Sequence, residues 1–307
     1  MTKVLVATVK PFAPKAVSSI GEILDEAGYE LVMLEKYADQ ASLKNAVKTV
    51  DALIVRSDKV DKDIIDAAEN LKIIVRAGAG YDNIDLEAAT SRDVVVMNTP
   101  GQNSNAVAEL ALGMMVYHAR GQFNGKPGTE LKGKTLGIHA YGNVGKLVAH
   151  IAKGFGMELY AYDPFIDDEL IEKDGVNVVK SVEELYKKCQ YISLHIPANE
   201  KTRRSINYTL LSSMPENATL VNTARKEVID EDGLMKVMAE REDFSYISDI
   251  APDNADVIQE KFKGRCCFTP KKMGAQTAEA NINAGIAAAR QIVSFLENGD
   301  RTFQVNR

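Results

Sequence analysis

One segment constrains the fold of this chain more than any other: an apolar strand pattern that runs through a glycine-containing turn into an amphipathic helix. The strand pattern covers residues 135–139, the helix pattern covers 144–155, and the turn reads Ala140-Tyr141-Gly142-Asn143-Val144-Gly145. The spacing is GxGxxG with alanine at the first glycine. The middle glycine lets the backbone approach a pyrophosphate, the last lets helix and strand pack closely, and the helix N-terminus favours an anion. The segment therefore predicts a dinucleotide-binding turn.

An acidic residue completes this pattern. Asp163 follows the next strand pattern, at 158–162, and lies 18 residues after Gly145. A carboxylate there can accept hydrogen bonds from the adenosine ribose hydroxyls and repel a 2′-phosphate, so NAD is favoured over NADP. The alternatives are a tight turn without a ligand and, for Asp163, a capping or loop acid before Pro164. Each alternative explains either the glycine turn or Asp163 by itself, but neither explains why both occur at this spacing.

Strand and helix patterns alternate along most of the chain. Before the turn, apolar β-branched runs lie at 4–9, 52–55 and 72–75, with helix patterns at 16–27 and 62–68; after it, strand patterns lie at 191–194, 218–221 and 245–249. Such alternation is typical of parallel sheets built from βαβ units. A length of 307 residues also exceeds what one compact core usually fills. We predict an α/β chain with two doubly wound parallel-sheet domains.

Two longer helix patterns stand apart from this alternation. The segment 103–118 is hydrophobic almost all round, which predicts burial against another domain or subunit. The segment 277–298 carries apolar residues at helical spacing, ends at Asn298-Gly299, and is predicted to pack on the first domain.

Charge and cysteine content exclude several classes of partner. The net charge of −6 opposes binding to nucleic acid or an anionic membrane. No apolar run approaches the roughly 20 residues of a membrane span, and the first residues lack a signal-peptide pattern. Three cysteines without CxxC spacing argue against disulfides and a zinc site. These features predict a cytoplasmic protein with a small-molecule substrate.

Further segments, taken with the glycine turn, resemble the D-isomer-specific 2-hydroxyacid dehydrogenases. They span essentially the whole chain: Val55-Arg56-Ser57, residues 76–85, Asn98-Thr99-Pro100, Val107-Ala108-Glu109 and Val221-Asn222-Thr223-Ala224-Arg225. The resemblance implies a Rossmann-type NAD-binding domain at 97–283, inserted into a flavodoxin-like substrate domain formed by 1–96 plus 284–307. It also implies a homodimer formed through the 103–118 helix.

The resemblance also implies roles for individual residues. Arg225 matches the catalytic arginine that binds the substrate carboxylate and polarises the carbonyl, as a planar and permanently charged guanidinium can. Thr223, Ala224, Asp249 and Gly274 would line the cofactor site, with Asp249 near the nicotinamide.

Other matched positions concern the substrate. Arg56 and Arg76 match residues near a substrate phosphate, and two fixed cations are costly to bury without an anion. The resemblance therefore implies oxidation of D-3-phosphoglycerate, with another D-2-hydroxy acid such as glycerate or glyoxylate as the alternative. The remaining positions expected at this site are Ser57, Gly78, Ala79, Gly80 and Asn103.

The sequence departs from the family at its acid/base residue. The family's histidine lies in a Pro-His-x-Gly segment, where this chain reads Pro270-Lys271-Lys272-Met273-Gly274. Alignment on Gly274 puts Lys272 at that position, and counting from Pro270 puts Lys271 there. A neutral lysine can take the hydroxyl proton, if burial and the charge of Arg225 lower its pKa from about 10.4. A charged lysine suits the reverse direction.

The glutamate that orients the family's histidine is also replaced. Its position falls on Asn254, with Asp253 as a candidate partner for the lysine. A lysine has no tautomers that a partner must select. A chain that replaces the histidine by lysine therefore has no need of the orienting glutamate. The two losses also support a third interpretation, a non-catalytic NAD-binding sensor, against which the retained Arg225 argues.

Overall fold

The computed structural model describes residues 1–306, which form two compact units. Unit 1 comprises Met1–Asn103 together with the chain from Gln276 onward, and unit 2 comprises Ser104–Ala275. Every strand pair in both sheets is parallel, which confirms the predicted α/β class with two doubly wound sheets. No helix within residues 1–306 is both long and apolar enough to cross a bilayer.

Unit 1 contains a five-stranded sheet. Its strands are β1 (Lys3–Thr8), β2 (Glu30–Glu35), β3 (Ala52–Val55), β4 (Ile73–Arg76) and β5 (Val95–Asn98). They lie in the order β2-β1-β3-β4-β5. This is the flavodoxin-like order, in which ligands bind beyond the carboxyl ends of the strands.

Helices cover the two faces of this sheet. They are α1 (Pro14–Glu26), α2 (Gln40–Ala46), α3 (Lys62–Ala67), α4 (Leu86–Ser91) and α12 (Ala278–Asn298). As predicted, α12 packs on this unit: its buried Ala284, Ala288 and Ile292 join the core beneath Val4 and Val6 of β1.

The unit boundaries lie away from the predicted domain boundaries at 97 and 283. A cut at 97 would divide β5, whose Val95 to Asn98 pair with β4. A cut at 283 would divide α12, a continuous helix that packs on unit 1. The chain changes unit instead in the loops next to Asn103 and Ala275. The boundaries near 97 and 283 stay a prediction from the family resemblance, and the compact units change a few residues away from them.

Unit 2 contains a seven-stranded sheet. Its strands are β6 (Thr135–His139), β7 (Glu158–Tyr162), β8 (Asn177–Val178), β9 (Tyr191–Leu194), β10 (Thr219–Asn222), β11 (Ser245–Ser248) and β12 (Cys266–Phe268). The order β12-β11-β10-β9-β6-β7-β8 is the Rossmann order with one further strand at an edge. Its switch point lies between β6 and β9, and Rossmann folds bind a dinucleotide at this point.

Seven helices accompany this sheet. They are α5 (Ser104–Ala119), α6 (Asn143–Gly154), α7 (Asp168–Lys173), α8 (Val182–Lys188), α9 (Tyr208–Ser212), α10 (Glu231–Glu240) and α11 (Ala255–Lys261). The apolar α5 is largely buried within this unit, where Ala108, Leu112 and Met115 share a core with Leu136 and Ile138 of β6.

Candidate active site

The predicted dinucleotide turn begins with a left-handed alanine. Ala140 has φ +80° directly after β6, and its N–H donates to the Tyr162 carbonyl at 2.9 Å. A side chain in this conformation costs roughly 1 kcal/mol, which explains why glycine is usual there. The tight turn therefore forms with alanine, held by β7.

The two glycines of the turn, Gly142 and Gly145, have different constraints. A Cβ on Gly145 would lie 2.3 Å from the Ala140 carbonyl oxygen and 3.0 Å from Ile138 Cγ2, so only glycine lets α6 approach β6 this closely. A Cβ on Gly142 would meet nothing within 4 Å. Gly142 is also the N-cap of α6 and makes no side-chain cap. The open space and the uncapped N–H groups fit the pyrophosphate of a dinucleotide.

Asp163 lies beside this turn, as predicted from its spacing. Its Oδ2 accepts from Tyr141 N–H at 2.7 Å and its Oδ1 accepts from Phe165 N–H at 2.9 Å. The buried Tyr141 also donates its hydroxyl to Asp174 at 3.1 Å. Each Asp163 oxygen keeps a second lone pair for a ribose hydroxyl.

Buried polar groups lie at the carboxyl ends of β6, β9 and β10. Thr223 Oγ1 and His195 Nε2 are buried and have no hydrogen-bond partner within the described residues. Burial lowers the pKa of His139 to about 4; burial, then the charge of His139, lowers that of His195 to about 3. Both imidazoles are neutral at pH 7. Unpaired polar atoms at this edge again fit a polar ligand such as a dinucleotide.

Arg225 lies in a tight loop after β10, which we call the 224–226 loop. The buried Asn222 shapes it: Nδ2 donates to the Arg225 carbonyl at 3.0 Å and Oδ1 accepts from Ala224 N–H at 2.9 Å. The exposed Arg225 side chain donates from Nη1 to the Ala224 carbonyl at 3.0 Å. The backbone is thus fixed while most guanidinium donors face outward.

Asp249, expected near the nicotinamide, organises the segment that replaces the family histidine. We call this segment the 269–274 loop. The buried Asp249 accepts from Met273 N–H at 2.8 Å, Gly274 N–H at 2.7 Å and Thr269 Oγ1 at 3.1 Å. A Cβ on Gly274 would lie 2.9 Å from Asp249 Oδ2, so this contact requires glycine.

The two candidate lysines differ in their surroundings. Lys272 Nζ donates to the Ala224 carbonyl at 2.7 Å, next to Arg225. Lys271 is exposed and no contact of its side chain is recorded within the described residues. Lys272 is exposed as well, so the burial expected for it is not found. The reason is that its loop lies at the surface of unit 2.

Asp253, the candidate partner for the lysine, has a carboxylate that forms an ion pair with Lys226 Nζ. This contact forms because the loop that follows Asp249 runs beside the 224–226 loop. Asn254, at the family's glutamate position, donates from N–H and Nδ2 to Glu231 Oε2 at 3.1 and 3.2 Å.

In unit 1, Arg56 is held by several acceptors. Nη1 donates to the carbonyls of Lys10 and Pro11 at 2.9 and 3.1 Å, Nη2 contacts Asn281 Oδ1, and the guanidinium lies 5.1 Å from the Phe12 ring centroid. Burial lowers its pKa. Arg56 is therefore a rigid, half-buried cation at the end of β3.

Arg76 and the glycine loop lie at the ends of β4 and β5. Arg76 Nε donates to the Arg56 carbonyl at 3.0 Å, and its guanidinium lies over Gly78, whose Cβ would overlap Nη1. Thr99 N–H donates to the Gly78 carbonyl at 2.9 Å, and Asn98 Nδ2 to the Ala79 carbonyl at 2.6 Å. The remaining candidates of unit 1 lie on nearby turns: Ser57 after β3, Gly80 after β4 and Asn103 after β5.

Four residues that shape these sites were not predicted: Asn222, Tyr141, Lys226 and Glu231. Asn222 and Tyr141 lie inside motifs that were recognised, so their sequence positions offered a signal. Lys226 and Glu231 offered none, because their partners Asp253 and Asn254 are more than 20 residues away.

Comparison with known proteins relates the chain to one family. Residues 106–262 match the D-isomer specific 2-hydroxyacid dehydrogenase, NAD binding domain. The chain is 38% identical over 294 residues to D-3-phosphoglycerate dehydrogenase of Methanocaldococcus jannaschii, covering 90% of this chain and 55% of that protein. It is 35% identical to hydroxypyruvate reductase of Thermotoga maritima, covering 87% and 92%. The chain thus spans about half the length of several curated relatives it matches.

A solved structure matches over the full chain. NAD+-bound 3-phosphoglycerate dehydrogenase of Entamoeba histolytica is 53% identical, with a TM-score of 0.88, and the match covers 100% of this chain and 99% of that one.

Proposed function

Since the chain belongs to the D-isomer specific 2-hydroxyacid dehydrogenase family, we propose that it is an NAD-dependent dehydrogenase that oxidises D-3-phosphoglycerate to 3-phosphohydroxypyruvate. A reaction of this kind opens serine biosynthesis. The similarity to the NAD+-bound 3-phosphoglycerate dehydrogenase supports both the cofactor and the substrate.

The observation that carries the proposal is the arrangement around Ala224. Arg225 and Lys272 both donate to its carbonyl oxygen, from Nη1 and Nζ. Arg225 supplies a cation for the substrate carboxylate and for the developing carbonyl oxygen. Lys272, once deprotonated, takes the hydroxyl proton, and in reverse its ammonium returns that proton.

Bound NAD would supply the acceptor for the hydride that leaves the carbon bearing the hydroxyl. Gly142, Asn143 and Val144 offer backbone N–H groups for its pyrophosphate, and Asp163 offers a carboxylate for its ribose. Thr223 provides a buried hydroxyl with no recorded partner among the described residues. A non-catalytic sensor would need the cofactor residues but not the pair of cations at Ala224.

The phosphate is assigned to unit 1. Arg56 is rigid and half-buried, and its neighbour Arg76 lies over the glycine loop. Two neighbouring cations favour a phosphorylated acid over glycerate or glyoxylate, because a phosphate group accepts charge-assisted hydrogen bonds from guanidinium groups and a neutral tail does not. Ser57 and the backbone of Gly78 to Gly80 supply further donors for the substrate.

The oligomeric state and location belong to the same proposal. We expect a homodimer formed through α5, as the family resemblance implies. We expect a reducing, cytoplasmic setting because Cys189, Cys266 and Cys267 are free thiols. Light scattering of the purified protein tests the first expectation and cell fractionation the second.

The test is NADH production by the purified protein with D-3-phosphoglycerate, D-glycerate or D-lactate. Preferential turnover of the phosphorylated acid supports the proposal. Preference for hydroxypyruvate or glyoxylate as the reduced substrate contradicts the substrate assignment. NAD binding without turnover of any acid contradicts the enzyme assignment.

A further inference from the structure

Three loops at the carboxyl edge of the unit 2 sheet are joined by polar contacts. The 269–274 loop contacts the 224–226 loop through Lys272 Nζ and the Ala224 carbonyl, and it contacts Asp249 through Met273 N–H. Asp249 begins the third loop, residues 249–254, which we call the 249–254 loop. The far end of that loop returns to the 224–226 loop through the ion pair of Asp253 and Lys226. The three loops therefore form a closed ring that contains Arg225.

The 249–254 loop of this ring is held by a residue that lies outside the three loops. Glu231, the first residue of α10, accepts from Asp253 N–H through Oε1 at 2.8 Å. Its Oε2 accepts from Asn254 N–H at 3.1 Å and from Asn254 Nδ2 at 3.2 Å. One carboxylate thus holds two successive backbone amides and a side-chain amide.

We propose that Glu231 is a positioning residue that fixes the 249–254 loop and, through it, the ion pair that holds the Arg225 loop in its working geometry. The role in turnover rests on the proposed function, whereas the effect on the loops does not. The hydrogen bonds of Glu231 go to Asp253 and Asn254, so we infer that it acts on Arg225 through the 249–254 loop.

Glu231 has the properties that this role requires. Hydrogen bonds to a carboxylate are about twice as strong as neutral ones, and two on adjacent backbone groups fix both position and direction. Its place in the first turn of α10 is favourable for a negative charge. The Lys226–Asp253 ion pair is exposed and would by itself contribute little. It becomes effective because Glu231 holds the Asp253 backbone in place.

This arrangement also bears on the missing family glutamate. At that position the chain has Asn254, which cannot carry a negative charge, and the carboxylate in contact with this position comes from Glu231 of α10. Negative charge is therefore present at the loop, but it binds amides rather than an imidazole.

Hydrogen exchange tests the proposal without reference to activity. In Glu231→Ala, amides of peptides covering residues 249–254 and 224–228 should exchange at least fivefold faster than in the parent, while those of α6 stay unchanged. Glu240→Gln is the matched control, since Glu240 is an exposed, hydrogen-bonded carboxylate at the other end of the same helix. Unchanged exchange in both loops would overturn the proposal.

Kinetics test the consequence for Arg225. Glu231→Ala should lower kcat/KM for the acid about tenfold, leave the Kd of NAD within twofold, and leave the Tm within about two degrees. If Glu231→Ala does not fold, Glu231→Gln replaces it, with the same expectation of faster exchange in both loops. A kcat/KM within twofold of the parent in the folded variant contradicts the positioning role.

A charge exchange tests the ion pair itself. Lys226→Asp and Asp253→Lys should each lower kcat/KM, and the double exchange should recover at least half of the loss. If the double exchange does not recover activity, the Lys226–Asp253 ion pair does not hold the Arg225 loop as proposed. If the parent protein has no dehydrogenase activity, the proposed function is wrong. The hydrogen-exchange experiment still tests whether Glu231 holds the two loops.

Discussion

Lys272 and Arg225 donate to the same acceptor, the carbonyl oxygen of Ala224, at 2.7 and 3.0 Å. Their two cationic nitrogens therefore lie within about 6 Å of each other. Of the two cations, the lysine ammonium is the stronger acid, so the neighbouring guanidinium favours loss of a proton from the lysine and stays charged itself. The pair thus has the chemistry of an acid/base beside an anion-binding cation.

The first prediction concerns this lysine. Lys272→Met should lower kcat by roughly 10² to 10⁴-fold, the range typical of a general acid/base. The Kd of NAD should not change, because the glycine turn is untouched. Steady-state kinetics and a fluorescence titration with NADH measure the two quantities.

The control for that prediction is the neighbouring lysine. Lys271→Met removes the same charge from the adjacent position and should retain at least half of the parent kcat. Equal losses in the two variants would show that the loop, and not the Lys272 amine, carries the effect.

The second prediction separates the two glycines of the cofactor turn. Gly142→Ala points a methyl group into open space, so the free energy of unfolding should change by less than about 1 kcal/mol, while NAD binding weakens at least tenfold. Gly145→Ala forces a methyl group against the Ala140 carbonyl and should destabilise unit 2 by about 1 to 3 kcal/mol. Urea unfolding and calorimetric titration measure both effects. Equal effects of the two substitutions on stability would contradict this division.

The third prediction concerns cofactor choice. Asp163→Asn removes the negative charge beside the Tyr141 amide and should weaken NAD binding about tenfold while improving the ratio of NADP to NAD binding. Asp167→Asn is the control, because Asp167 is a more exposed acid four residues further along the chain. An unchanged NADP to NAD ratio in Asp163→Asn would exclude Asp163 as the discriminating residue.

The fourth prediction concerns stability and pH. The pKa of His139 is about 4 and that of His195 about 3 in the folded chain, against about 6.5 when unfolded. The unfolded state therefore binds more protons between these values, so stability is complete above pH 6.5 and falls as the pH falls towards 4. At pH 5 each histidine should cost on the order of 2 kcal/mol relative to pH 8.

Urea unfolding at pH 8, 6.5 and 5 measures this slope. His195→Gln carries no titrating group and should reduce the loss between pH 8 and pH 5 by about half. His150→Gln, which alters an exposed histidine on α6, should not change it. A parent equally stable at pH 8 and pH 5 would mean that neither imidazole is held neutral.

Regular, strongly apolar elements were predictable from the sequence. β3, β6, β7 and β9 begin and end at the predicted residues, and the other recognised elements differ by one or two residues. β2 was missed because its residues Glu30 to Glu35 are only partly buried and carry charge at both ends. β12, with the three residues Cys266 to Phe268, is too short to show a period.

The candidate site was predictable where one motif carries it. Asp163 could be located from Gly145 because both belong to one βαβ unit of fixed length. The partner of Asp253 could not, because the choice between Lys226 and Lys272 depends on how two loops from different strands pass each other. Sequence spacing contains no information about that crossing.

The construction of unit 1 from two separated segments of chain has a consequence for synthesis. On a ribosome, β1 to β5 are made first, yet the core that includes Val4 and Val6 lacks Ala284, Ala288 and Ile292 until α12 is made. Unit 2, an uninterrupted stretch, has all its strands once residue 268 is added. The unit whose sheet is made second can therefore complete its core first, while one apolar face of the earlier sheet is covered only in part, by α1, until α12 is made.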